Sequence, residues 1–115
     1  MRLEPQLETA YFERMRDFSR EQLLAELRAL KPQFEREGVA HLSLFGSRAR
    51  GDNQQDSDVD VLVDVQPGRK FGLEWVNVHH IISDNLGLES NVVVLDKYAH
   101  PRFVANVERD RVRVF

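Results

Sequence analysis

Apolar residues follow two different rhythms along this chain. In the first third they recur at helical steps. Leu7, Tyr11, Met15 and Phe18 are spaced four, four and three apart, one face of an amphipathic helix. Ser19 opens a Ser-Arg-Glu-Gln capping box with Gln22 at the third helical position, and Leu23, Leu27, Leu30 and Phe34 continue a second stripe. Pro32 interrupts that stripe, which predicts either a kink or the start of a short new helix. Gly38 predicts the C-terminal cap.

From Val39 to Phe45 the pattern becomes a short apolar run, the first predicted strand. Residues 46–57 are polar and predict a loop with one helical turn. Asp58 to Val65 then alternates strictly, with Val59, Val61, Val63 and Val65 on one face and Asp58, Asp60 and Asp64 on the other, a half-buried second strand. Gln66-Pro67-Gly68 reads as a turn. Phe71, Trp75, Val78 and Ile82 predict a helix ending near Gly87. Val92 to Leu95 predicts a third, central strand. A last helix follows Pro101 through Phe103, Val104 and Val107, and Val112 to Phe115 predicts an edge strand. Strands alternating with helices imply an α/β fold: a small mixed β-sheet with flanking helices. The expected organisation is one domain over residues 1–115, with N-terminal helices at 1–38 and the sheet-bearing core at 39–115.

Composition narrows the function classes. Of 115 residues, 42% are hydrophobic and 30% charged, ordinary for a globular domain. The absence of cysteine removes disulfides and thiolate metal sites. No apolar run approaches the ~18 residues of a membrane span, and the first residues lack a signal-peptide pattern; the expectation is a cytoplasmic protein without membrane contact. Sixteen Lys and Arg against 19 Asp and Glu give a net charge of −3. The arginines are dispersed beside acids, so stable nucleic-acid binding is not expected. Arg48 and Arg50 form a small cluster suited to a few phosphates.

The candidate chemistry lies between the first two strands. An apolar strand runs into Gly46-Ser47, ten residues intervene, and Asp58-Val59-Asp60 opens the next strand. Strand geometry puts Asp58 and Asp60 on one face with α-carbons about 7 Å apart. Two carboxylates so placed repel, and a divalent cation removes the conflict, with hard oxygen ligands on one side and waters or phosphates on the other. Two cations ~3.5–4 Å apart could clamp the attacking and leaving oxygens of a phosphoryl centre. Gly46 permits a sharp turn and close backbone approach. If Ser47 starts a helical turn, its hydroxyl and the following amides attract phosphate, and Arg50 could add charge-assisted hydrogen bonds. A calcium loop beginning at Asp56 fails, because its sixth position is Val61 and its twelfth Pro67. His79 and His80 are adjacent on a helix and point about 100° apart, unsuited to one metal. Trp75 reads as core rather than as a base-stacking platform.

On these residues the chain resembles the nucleotidyltransferase superfamily with the DNA polymerase beta-like palm, and within it the minimal nucleotidyltransferases. The block Gly46-Ser47, ten residues, Asp58-Val59-Asp60 carries the resemblance. Ser57, Gly68-Arg69-Lys70-Phe71-Gly72-Leu73, Leu86-Gly87 and the tail from Pro101 extend it over everything from Val39 onward. The resemblance implies a nucleotidyltransferase palm in which Asp58 and Asp60 bind Mg2+ and serve catalysis. It also implies that Gly46 and Ser47 hold the β- and γ-phosphates of ATP, with Arg50 as a further nucleotide contact. One departure stands out. The family's third carboxylate falls, by counting four residues past Gly87, on Asn91, a degenerate third position. Asparagine offers an amide oxygen but neither negative charge nor a basic site. Glu89 shares its strand parity and could substitute after a register slip; Asp96 has the opposite parity.

The resemblance further implies transfer of AMP to a hydroxyl of a partner protein, with this chain as antitoxin of a HEPN-type helical ribonuclease toxin in a hetero-oligomer. The alternative is a non-catalytic antitoxin or nucleotide-binding subunit acting by complex formation, which Asn91 favours. Transfer to a small molecule or an RNA end is a weaker third reading.

Overall fold

The structure, a computed structural model, describes residues 18–95 and 99–115. The stripe positions Leu7, Tyr11 and Met15, and Asp96, lie outside the described residues. Helix α1 (Arg20–Ala29) begins at the expected box: Ser19 Oγ accepts from the Gln22 amide at 3.1 Å, and Gln22 Oε1 accepts from the Ser19 amide at 2.9 Å. The reciprocal bonds satisfy two donors that a helix start leaves open. Pro32 resolves toward a new helix. The first ends at Leu30, and α2 (Lys31–Arg36) carries the proline in its first turn, where the missing amide costs nothing.

Strand β1 (Val39–Phe45) leads into the single helical turn α3 (Ser47–Arg50), and β2 (Val59–Val65) follows. Helix α4 (Glu74–Leu86) crosses over to β3 (Ser90–Val93), and α5 (Pro101–Asp110) precedes the short β4 (Val112–Arg113). The strands make one four-stranded sheet in the order β3-β2-β1-β4. β1 is antiparallel to β2 and β4, whereas β2 and β3 are parallel. The mixed sheet with flanking helices is thus as expected.

The sheet buries both faces unequally. On one side Leu42 and Leu44 of β1 and Val59, Val61 and Val63 of β2 pack with Leu23, Leu27 and Phe34 of the N-terminal helices and Val78, Ile82 and Leu86 of α4. A register shift between Val39 and His41 lets Val39 join Leu42 on that face despite a spacing of three residues, the effect of a β-bulge. On the other side α5 covers a smaller patch, where Phe45, Leu62 and Val107 pack with Val93 and Leu95.

The third strand differs from the sequence expectation in place and bounds. It spans Ser90–Val93 and lies at the sheet edge. Its valines imitate a central strand because both faces are packed: Val92 adjoins the larger core and Val93 the smaller one. Trp75 is also not core, being 49% exposed; its helical spacing places it beside the buried stripe, one turn before Val78. Among the described residues no helix is long and apolar enough to cross a membrane.

Phe34 is fully buried and stacks on Phe115 with ring centroids 6.2 Å apart. Phe34→Ala is expected to lower the unfolding free energy by about 3–5 kcal/mol, read from urea denaturation. A loss below about 1 kcal/mol would mean that α2 is not seated on the sheet as described.

Candidate active site

The antiparallel register of β1 and β2 pairs Phe45 with Asp60, so the residue after Phe45 arrives beside the Asp60 side chain. That residue is Gly46, with φ 74° and ψ −156°, a conformation essentially confined to glycine. A β-carbon there would overlap Asp60 Oδ2 and stand 3.1 Å from Asp60 Cγ. The turn and the carboxylate therefore touch through the space glycine leaves empty, and the two halves of the motif meet across one strand pair.

Beyond Gly46 the chain coils into α3. The Gly46 carbonyl accepts from the Ala49 and Arg50 amides, both at 3.1 Å, and the Ser47 carbonyl from Gly51 at 2.8 Å. First-turn amides of such a coil have no intrahelical acceptor, and they collect at Ser47, the residue after the glycine that packs on Asp60.

The two arginines of the motif are anchored. Arg48 is 2% exposed, and its guanidinium donates to the Ser57 carbonyl at 2.9 Å and the Gln55 carbonyl at 3.1 Å. It pins the end of the ten-residue connection immediately before Asp58. Composition suggested a phosphate ligand there; the cue for the other role is that a connection rich in polar residues needs donors for its carbonyls. Arg50 donates to Asp52 Oδ2 at 3.0 Å and Asp110 Oδ2 at 2.6 Å, which joins α3 to the end of α5. Hydrogen bonds to Asp52 and then Asp110 raise its pKa above the ordinary value. The Asp110 carboxyl is in turn held below its usual range, by Arg109 first and by Arg50 also.

Parallel pairing of β2 and β3 sets Asn91 opposite Asp60. The Asn91 side-chain nitrogen donates to Asp60 Oδ1 at 2.9 Å and to Asp58 Oδ2 at 3.3 Å. Gly46, Asp58, Asp60 and Asn91 are thus brought into one group. No register slip offers Glu89 instead: its carbonyl accepts from the Val59 amide at 2.8 Å, and its carboxylate lies 3.6 Å from His79 Nε2. His79 Nδ1 is 2.8 Å from Ser90 Oγ, so that ring is engaged away from the aspartates.

Among the described residues, no three His, Cys, Asp or Glu side chains are arranged to hold a metal ion. The donor set is two carboxylates and an amide. It fits a hard cation such as Mg2+ that takes the remainder of its shell from phosphate and water oxygens. Beside it an open cleft of about 550 Å³ is lined by Asp60, Asn91, Trp75, Phe45, Phe103 and Val93, among others. Phe45 and Phe103 meet edge to face at 6.2 Å. Trp75 and Phe103 are cleft residues that hydrophobic periodicity alone did not distinguish from core.

Residues 20–114 match the sequence model of a family described as nucleotidyltransferase domain. A "Putative protein adenylyltransferase" of Methanocaldococcus jannaschii is 30% identical over 87 residues, covering 76% of this chain and 91% of that protein. "Protein adenylyltransferase MntA" of Thermococcus cleftensis is 37% identical over 60 residues, 52% of this chain and 60% of that one. Among solved structures, a "putative minimal nucleotidyltransferase" superposes with TM-score 0.66 at 29% identity, covering 83% of this chain and 95% of that chain. A toxin-antitoxin crystallised with AMP-PNP shares the fold, with TM-score 0.60 at 16% identity over 76% of this chain and 72% of that chain.

Three substitutions probe this geometry. Gly46→Ala is expected to cost about 1–3 kcal/mol in backbone strain plus the clash with Asp60, and Asp60→Ala in the same chain to recover the clash. Chemical denaturation of both single variants and the double variant reads the coupling; strictly additive losses would show that the turn and the carboxylate do not share that space. Arg48→Met, which keeps the stem and removes the donors, is expected to lower stability by about 2–4 kcal/mol, and an unchanged melting curve would contradict the staple.

Proposed function

Because the chain belongs to the nucleotidyltransferase domain family, we propose that it binds Mg·ATP across the Gly46-Ser47 turn and the Asp58–Asp60 pair and transfers AMP to a hydroxyl of a partner protein. The observation that carries this reading is the packing of Gly46 against the Asp60 carboxylate. It supports a triphosphate whose terminal groups lie on the turn while its α-phosphate reaches the aspartates. The α3 amides and the Ser47 hydroxyl hold the β- and γ-phosphates. Asp58 and Asp60 hold the cation side of the complex. Arg50 acts as a strut, and it could reach phosphate by exchanging Asp52, the more exposed of its two partners.

Magnesium, when bound, supplies the positive charge that neutralises the phosphates and lowers the pKa of an acceptor hydroxyl. The acceptor oxygen bonds to the α-phosphorus, the bond to the β-phosphate bridging oxygen breaks, and pyrophosphate leaves. The hydroxyl proton passes to water or to Asp60, the carboxylate that lines the cleft. Trp75 and Phe103 offer an apolar wall on the side from which an acceptor side chain would approach. The partner we infer is a HEPN-type helical ribonuclease toxin, with this chain as its antitoxin. The resemblance of the Gly-Ser to Asp-x-Asp block and the relatives named protein adenylyltransferases support it. The second reading is a non-catalytic subunit that neutralises its partner by contact. The Asn91 bridge favours it, since among the described residues an amide, not a third carboxylate, stands opposite Asp60 on β3.

Incubation of the chain with ATP, Mg2+ and its HEPN-type partner, followed by intact mass, is expected to add one or more AMP units to the partner. Asp58→Asn with Asp60→Asn is expected to abolish that gain and Mg2+-dependent ATP binding by calorimetry, with the melting temperature kept or raised because like charges are removed. A tight complex without mass gain selects the contact reading. Unchanged ATP binding in the double variant would remove the aspartates from the site.

A further inference from the structure

Both neighbours of the Asn91 amide nitrogen are carboxylate oxygens. Ionised carboxylates only accept, so the amide must present its NH2 end. One N–H serves each aspartate. Asp58 and Asp60, both within reach of one amide nitrogen, would otherwise repel, and the partial positive charge of the NH2 group offsets that repulsion. Asn91 therefore stands where charge balance calls for a cation.

That arrangement is incompatible with a cation at the same place, because the N–H dipoles would meet it positive end first. Asparagine has a second end. A half-turn about its terminal torsion exchanges the nitrogen for the amide oxygen, a hard neutral ligand of the kind Mg2+ accepts. Asn91 is exposed at the sheet edge, so nothing described in its surroundings blocks the turn. We propose that Asn91 is a reversible amide bridge, which keeps Asp58 and Asp60 converged in the metal-free protein and turns its oxygen inward when a divalent cation binds. The proposal rests on the reading of Asp58 and Asp60 as cation ligands.

Charge arithmetic gives the bridge a consequence for binding order. Two aspartates and a neutral amide present a charge of −2, which one divalent cation cancels. A carboxylate at position 91 would leave −1 over and attract a second. The chain thus takes one cation by itself, and the second arrives with the triphosphate that supplies its negative charge. Nucleotide and second metal enter together.

The test is a Mn2+ titration of the full chain, with free Mn2+ followed by electron paramagnetic resonance, in the absence and presence of a non-hydrolysable ATP analogue. Wild type is expected to bind one Mn2+ alone and two with the analogue. Asn91→Asp is expected to tighten nucleotide-free binding by at least about tenfold and Asn91→Leu to weaken it by a similar factor. In wild type, the Asn91 side-chain NH2 resonances are expected to shift on titration with diamagnetic Mg2+. Resonances that stay fixed while Mg2+ binds, or Asn91→Leu binding Mn2+ as wild type does, overturn the bridge. Asp58→Asn with Asp60→Asn separates the two levels of the argument. If that variant still binds Mn2+ normally, the cation-site reading itself fails; if it loses Mn2+ while Asn91→Leu keeps it, only the bridge does.

Discussion

A carboxylate and a backbone turn share a volume that a single β-carbon would fill, and the candidate site depends on that sharing. Gly46 is held at φ 74° against Asp60 Oδ2. Any side chain at position 46 must displace the aspartate or pull the turn back, and either change lengthens the gap a triphosphate would have to bridge. The contact is not local in sequence. It exists because β1 and β2 pair in the register that sets Phe45 beside Asp60, and that register is fixed by burial. Slipping it by one residue would turn Val59, Val61 and Val63 away from the core.

The surrounding charges serve the same constraint. Arg48 spends its guanidinium on the carbonyls of Gln55 and Ser57, which fixes the approach of the chain to Asp58. Arg50 ties α3 to Asp110, whose side chain is only 7% exposed. Arg109 and Arg50 hold that carboxyl ionised below its usual range, so the joint between the turn and α5 keeps its charge pairing at neutral pH. α5 in turn covers Phe45 and Leu62, the β1 and β2 residues on the aspartate-bearing face. Packing of the smaller core and placement of the Gly46-Ser47 turn are therefore one mechanical unit.

Much of this was legible in the sequence because it is written in periodicity and in turn chemistry. The capping box at Ser19, the alternation through β2, the Gly87 stop and the Gly46-Ser47 to Asp58-Val59-Asp60 spacing all depend on neighbours in the chain. What escaped depends on neighbours in space. β3 reads as central because its apolar content reports two covered faces, while strand order reports which edges are paired, and only the second decides centrality. Trp75 carries the spacing of a core residue yet lies beside the stripe, because a helical face about 100° wide admits marginal positions. Arg48 and Arg50 looked alike as cations. Their different fates follow from which acceptors the ten-residue connection brings near them, a matter no spacing rule specifies. Counting singled out Asn91, but its bond to both aspartates required the β2–β3 register.

Asparagine and aspartate have nearly the same shape, and the consequences of the exchange at position 91 are almost purely electrostatic. Shape keeps the sheet edge and the register intact, while the amide's N–H groups keep the side chains converged. Charge decides how many cations the protein attracts before nucleotide arrives, and basicity decides whether β3 can receive a proton from an acceptor. An amide retains the first set of properties and surrenders the second. In the proposed reading, nucleotide capture leans on the turn and on Asp58 and Asp60, all of which precede β3 in the chain, whereas position 91 would add only a third charge and a further proton acceptor. On that reading, a substitution confined to β3 loosens the link between holding a triphosphate and spending it, without disturbing the turn or the β1–β2 register.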